Sequence, residues 1–309
     1  CTVAGPTWCC TPIRRKSSGG ERANRPGTGL SSESHTPWST LRPMTTATPA
    51  KTYPAFPEAL PRVNDTAGHY ALRFAHTADD LDQVTKLRFE VFNVELSEGL
   101  DQSWQTCRDV DNFDAQCHHM MVVDTRSNDV VGTYRMQTAE MARAGDGFYS
   151  DGEFELDTLG EAFLATSVEL GRACVALAHR NSRVLFLLWR GLARYMQHNQ
   201  RRYFFGCCSL TSQDPLEGWA VMKKLERRGQ MHETLRVRPR AALACFGPDF
   251  VPPVEVPSAK VPRLMRTYLD NGARIAGEPV IDRAFKTIDF LAVFDMQAIS
   301  PRVRRLFVD

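Results

Sequence analysis

The chain has 309 residues, 43% hydrophobic and 24% charged, with a formal net charge of +2. This is the composition of a globular protein with a sizeable core, and it excludes a nucleic-acid binder working through bulk positive charge. The central apolar run Val184–Trp189 is far short of the ~20 residues of a membrane span, so a cytoplasmic protein is expected.

Residues 1–43 hold six Lys/Arg against two Asp/Glu, hence +4, which leaves −2 for the remainder. They are rich in Ser, Thr, Gly, Pro and Arg, and the first Met is Met44. Three readings are open: translation starting at Met44, a disordered tail, or a basic presequence. Residues 44–67 stay Pro-rich, so 1–67 is expected to be extended or disordered and a single domain to fill 68–309, with 255–309 as a C-terminal extension.

Order begins with the alternation His69–Phe74, a strand. Thr77-Ala-Asp-Asp80 is a capping box, and Leu81, Val84, Leu87, Val91 and Phe92 then recur at helical spacing to about Leu96. A loop carrying Asp101, Asp109, Asp111 and Asp114 follows. His119–Asp124 and Val130–Met136 read as a strand pair around Ser127-Asn-Asp129, and Val168–Leu177 as a buried strand. Ser182 caps a helix to Asn199, and Tyr203–Cys208 is a second buried strand. Residues 213–228 and Pro262–Asn271 are helical, Phe290–Phe294 a strand, and Ser300–Phe307 a short basic helix. Strand–helix alternation implies at least one parallel crossover, hence an α/β (α+β) fold with helices on both faces of a mixed sheet.

Nine cysteines show no CxxC and no Cys/His group at zinc spacing, so reduced thiols and no metal are expected. No glycine-rich nucleotide motif is present. Chemistry concentrates in Val168-Glu-Leu-Gly-Arg-Ala-Cys-Val-Ala-Leu-Ala-His-Arg180, where an acid and a base interrupt an apolar run. The run passes from a strand into a helix N-terminus, a place for a phosphate, with His179, Arg180 and Arg183 adding charge.

The block Glu169-Leu-Gly-Arg172 with Ala-Cys-Val175 resembles the GNAT-related N-acyltransferases that use acyl-carrier-protein thioesters, and within them the ornithine–acyl-carrier-protein N-acyltransferase family. Also matching are Arg88, Val91-Phe92 and Glu95; Asp111, Phe113-Asp114, Cys117 and His119; Gly132–Arg135, Phe148–Ser150 and Glu153-Phe154; and Asp282–Phe285 with Asp289. The block is similar as well to acyl-homoserine-lactone and N-acyl amino acid synthases. The family's Asp-His is replaced by His118-His119, which changes the charge expected beside the acceptor pocket.

The resemblance implies a GNAT-like fold, no cofactor beyond the phosphopantetheine thioester, and attack of an amine on that thioester. Glu169 is either the general base or a structural partner of Arg172 or Arg135. Arg88 and Arg135 are candidates for the acceptor's carboxylate, and Asp109, Asp111 and Asp114 for a second amine, as in ornithine. Backbone N–H groups around Val175, Ala176 and Leu177 would stabilise the oxyanion. Phe92, Val122, Met136, Phe204 and Phe205 would line the acyl tunnel. Arg180, Arg183, Arg190 and Arg194 would dock the acidic carrier protein, and Arg227-Arg228 with Arg302, Arg304 and Arg305 an anionic membrane surface. The rival class is a degenerate acyltransferase fold that only binds lipid.

Overall fold

The computed structural model describes residues 53–255, 258–299 and 304–305. The readings placed on residues 1–52, on Arg302 and on all but two residues of the expected Ser300–Phe307 helix lie outside them. The described part opens with β1 (Thr66–Ala67) and β2 (Tyr70–Phe74). Helix α1 (Ala78–Phe89) starts at the expected capping box: Thr77 Oγ1 accepts from the Asp80 N–H at 3.1 Å, and Asp80 Oδ2 accepts from the Thr77 N–H at 3.0 Å. After Phe89 the helix widens into a π-helical stretch, Glu90–Glu95, instead of continuing regularly to Leu96. Such widened turns recur at functional sites. Then come α2 (Ser103–Thr106), β3 (His118–Asp124), β4 (Asp129–Thr138), α3 (Ala139–Ala144), α4 (Glu161–Ala165) and β5 (Ser167–Val175). The second half is α5 (Ser182–His198), β6 (Tyr203–Leu210), α6 (Pro215–Arg227), α7 (Arg263–Asp270), β7 (Arg274–Ile275), β8 (Val280–Asp282) and β9 (Thr287–Asp295).

The nine strands form one mixed sheet in the order β1-β2-β3-β4-β5-β6-β9-β7, with β8 also on β9. Every pairing is antiparallel except β5 with β6, whose crossover is α5. All seven residues of β3 are buried because the sheet is covered on both faces. Met120 and Val122 pack with Val184, Leu187 and Tyr195 of α5, while Met121 and Val123 pack with Val84 of α1. Each large side chain so buried contributes ~1.5–3 kcal/mol.

Residues 53–67 do not fit the expected disordered segment. Leu60 is buried in the main core, Asn199 Nδ2 donates to the Ala59 carbonyl at 2.9 Å, and His118 Nε2 meets the Ala55 carbonyl at 2.6 Å. One apolar anchor and a few backbone bonds are enough to order a stretch that is short of large apolar side chains.

Two irregularities shape the centre of the sheet. β5 and β6 pair only from Ser167–Tyr203 to Glu169–Phe205 and then diverge. At the divergence a Cβ on Gly206 would stand 2.1 Å from the Leu170 carbonyl oxygen, so only glycine lets the backbones touch there. On the other edge of β5 the β4 register slips between Thr133 and Arg135, and Arg172 takes a left-handed φ of 46°. This is a β-bulge with strain at a non-glycine residue.

Candidate active site

The acidic loop folds onto three arginines. Arg88 Nε donates to Asp109 at 2.7 Å and its Nη1 to Asp114 at 2.6 Å; Arg135 Nη1 reaches Asp111 at 2.6 Å and Asp114 at 3.0 Å; Arg172 Nη2 reaches Asp111 at 2.8 Å. The six side chains form a nearly solvent-free knot of three cations and three anions. The flanking guanidinium groups outweigh burial and hold the Asp111 and Asp114 carboxyls below the usual range. Asp109, Asp111 and Asp114 are therefore paired with the chain's own cations, and Arg88, fully enclosed, lines neither of the two cavities described below. The reading of these groups as direct substrate ligands gives way to a structural one. His119 packs against the knot, its Nε2 on the Asp114 carbonyl at 3.1 Å, and burial pushes its pKa down to about 4. His118 alternates to the opposite face and bonds Tyr195 at 2.8 Å, so the departure from Asp-His leaves the charge at the acceptor side unaltered.

Glu169 pairs with neither Arg172 nor Arg135. Its carboxylate accepts from Gln137 Nε2 at 2.6 Å and from the backbone N–H groups of Tyr149 and Ser150 at 2.9 and 2.7 Å. It thereby ties the 148–150 loop over a cavity of about 80 Å³. Its lining includes Arg135 and Arg172, the latter 4.9 Å from the Tyr149 ring centre and 4.0 Å from that of Phe285. Glu98, Glu169 and Asp289 line the same cavity. A cavity lined by both cations and carboxylates suits an amino acid.

A second, apolar groove of about 700 Å³ fills the gap where β5 and β6 diverge. Leu188, Trp189 and Leu192 of α5, Phe204, Phe205 and Phe294 line it. The two cavities meet at Phe92, Glu98, Leu170, Gly171, Cys207 and Ser209. Among the residues expected to line a tunnel, Phe92, Phe204 and Phe205 face the groove, Met136 the small cavity, and Val122 the core. Glu98 accepts from the Thr211 hydroxyl, and burial raises its pKa.

The groove opens at the turn between β5 and α5, lined by Val175, Arg180, Asn181 and Ser182. Several donors expected to be free there are used. The Ala176 N–H goes to the Val131 carbonyl at 2.9 Å, and Asn181, rather than Ser182, caps α5 by accepting from the Arg183 and Val184 N–H groups. His179 Nδ1 meets the Tyr70 hydroxyl at 3.0 Å, Arg180 grips Glu95 through bonds of 2.6 and 2.7 Å, and Leu177 is exposed. Arg190 and Arg194 pair with Asp65.

Sequence reasoning assigned no role to Glu98, Tyr149, Cys207 or Asp289. Cys207 and Asp289 sit in strands as ordinary apolar-flanked positions, and only the β6–β9 register brings Cys207 beside the small cavity. No helix among the described residues is long and apolar enough to cross a membrane.

A mixed sheet that splays beside a strand–helix turn, with a polar pocket opening into an apolar groove, defines an acyltransferase of the GNAT class. Residues 87–190 match the family described as Acetyltransferase (GNAT) domain. The chain is 31% identical over 250 residues to an L-ornithine N(alpha)-acyltransferase of Rhizobium meliloti (strain 1021), covering 74% of this chain and 81% of the relative. A relative of the same description from Brucella abortus (strain 2308) is 31% identical over 252 residues, 76% of this chain and 87% of its own. The solved AHL synthase LasI is similar at 13% identity and a TM-score of 0.43, over 78% of this chain and 95% of that one. The chain belongs to the L-ornithine N(alpha)-acyltransferase family.

Proposed function

We propose that the protein transfers a fatty acyl group from an acyl-carrier-protein thioester to the α-amino group of L-ornithine. The observation that carries this reading is the junction of the two cavities at Glu98, Gly171 and Cys207, where a small charged ligand and a long apolar one would meet end to end. The relatives described as ornithine acyltransferases support the acceptor. Arg172, beside the Tyr149 and Phe285 rings and bonded to Asp111 through Nη2, takes the acceptor's carboxylate with the rest of its guanidinium.

The α-amine must lose a proton to attack. Glu98 stands at the junction and burial raises its proton affinity, whereas the Glu169 carboxylate is taken up by Gln137 and two backbone N–H groups. Glu98 is thus the base and Glu169 the residue that positions the 148–150 loop. Nitrogen attacks the thioester carbon, backbone N–H groups on the splayed edges of β5 and β6 meet the oxyanion, and the C–S bond breaks. One proton ends on the departing sulfur and one is released to solvent. Cys207 does not relay the acyl group: burial and the nearby Glu153 and Asp289 hold its thiol protonated. No resident cofactor enters the scheme.

The phosphopantetheine arm enters past Arg180, with Arg183 beside the carrier protein. Exposed Arg227, Arg228, Arg304 and Arg305 supply charge for peripheral contact with an anionic inner-membrane surface. The test offers loaded acyl carrier protein and a panel of amino acids to the purified protein and reads products by mass spectrometry. Acyl-ornithine is expected; transfer only to glycine or aromatic amino acids, or no transfer, would overturn the reading.

A further inference from the structure

Beside the small cavity, two of them on its lining, are three groups that the reaction scheme leaves unused. Atoms of Glu153, Cys207 and Asp289 able to bind a cation lie within 4.8 Å of one another. Cys207 Sγ donates to Glu153 Oε2 at 3.1 Å. Glu153 Oε1 and Asp289 Oδ1 are buried and, among the described residues, have no hydrogen-bond partner. Their residues are only 5% and 3% exposed. A buried carboxylate oxygen without a donor is costly and rare. Asp289 and Cys207 both face the cavity, and Arg172, the nearest cation, is already turned toward Asp109 and Asp111. The pair therefore lacks a positive, hydrogen-bond-donating guest that must come through the cavity.

We infer that Asp289 and Glu153 form the subsite for the distal ammonium group of a diamino acid acceptor, which makes them the residues that select such an acceptor over an otherwise identical monoamino acid. The inference rests on the acyl-transfer reading for its choice of ligand but not for its geometry. An ammonium offers three donors on a compact charge, which suits two unpartnered carboxylate oxygens set close together. Burial raises both carboxyls in pKa, Asp289 to about 6 and Glu153 well above its ordinary value, with Asp289 adding to the shift of Glu153.

The experiment compares L-ornithine with L-norvaline, which has the same carbon chain without the distal amine. Wild type, Asp289→Asn and Glu153→Gln are each measured in two ways: acyl transfer from loaded carrier protein, and calorimetric binding of the free amino acids with no donor present. The ornithine-to-norvaline ratio of kcat/KM should fall about tenfold or more in either variant, and the binding preference should fall with it. Equal losses on both acceptors would overturn the inference, as would equal binding of both by wild type. Wild type that binds ornithine over norvaline but transfers nothing would sink the acyl-transfer reading and leave the subsite standing. Metal analysis of the purified chain closes the remaining alternative: a stoichiometric divalent ion lost in Glu153→Gln would assign the three ligands to a metal and overturn the ammonium.

Discussion

Arg88 and Asp114 face each other through two parallel hydrogen bonds, Nη1 to Oδ1 at 2.6 Å and Nη2 to Oδ2 at 3.2 Å, with both side chains out of reach of solvent. The pair locks the acidic loop to α1 and sets the height at which Arg135 and Arg172 emerge into the small cavity. Removing Arg88 leaves Asp109 and Asp114 without their main counter-charge. Arg88→Leu should therefore cost about 3–5 kcal/mol of stability, read as a lowered urea midpoint without any substrate. An unchanged midpoint with a raised acceptor KM would instead make Arg88 a substrate ligand.

The two glutamates at the cavity should separate by kinetics. Glu98→Gln should lower kcat by about 100-fold or more while leaving acceptor KM within a few-fold, the signature of a lost base. Glu169→Gln brings an amide NH2 toward two backbone N–H groups, so it should loosen the 148–150 loop and cost about 1–3 kcal/mol of stability. The reverse pattern in stopped-flow and melting data would return the base to Glu169.

Chain-length choice should yield to groove volume. Ala173 lines the groove beyond the junction, so Ala173→Phe should shift the product toward shorter acyl groups when mixed carrier-protein thioesters are supplied. Mass spectrometry of the product lipids reads the shift, and an unchanged distribution would place the acyl chain elsewhere.

Asp289 couples pH to both binding and stability. Its folded pKa of about 6 lies above the ordinary carboxyl value because burial, with Asp282 nearby, outweighs Ser209 and Arg172; Glu153 and Cys207 face the same point. Ionised above about pH 6, it can hold an ammonium, so ornithine KM should rise as pH falls through about 6. A raised carboxyl contributes stability that is complete below its unfolded pKa and lost as pH rises through the folded one. The melting temperature of Asp289→Asn should therefore gain on wild type as pH goes from 4 to 7. Such a variant would be more stable and a poorer binder of ornithine, as expected where function stores unfavourable charge.

Much of the scaffold was legible in the residues. Thr77–Asp80 announced α1 because both halves of a capping box are local, and the apolar runs of β5 and β6 with α5 between them required a parallel crossover. The strands β7 and β8, two and three residues long, were not, because alternation needs more residues to register. The site was half visible. Glu169 and Arg172 stood out as charges in an apolar run, but their partners are set by the bulge at Arg172 and by a loop 20 residues away from Glu169 in sequence. The aspartates looked like ligands because sequence shows charge and not what neutralises it. Glu98 and Cys207 became neighbours of the reacting atoms only through the divergence of β5 and β6.

That divergence has a bearing on turnover. Three residue pairs stitch the two halves of the sheet together, and the glycine contact at Leu170 marks the end of the seam. A flexing of the leaves about this seam would widen the whole slit and leave every ladder within each leaf intact. A lipid-like product, too greasy to be pushed back through a charged neck, can then slide out sideways along its full length toward whatever apolar phase waits there.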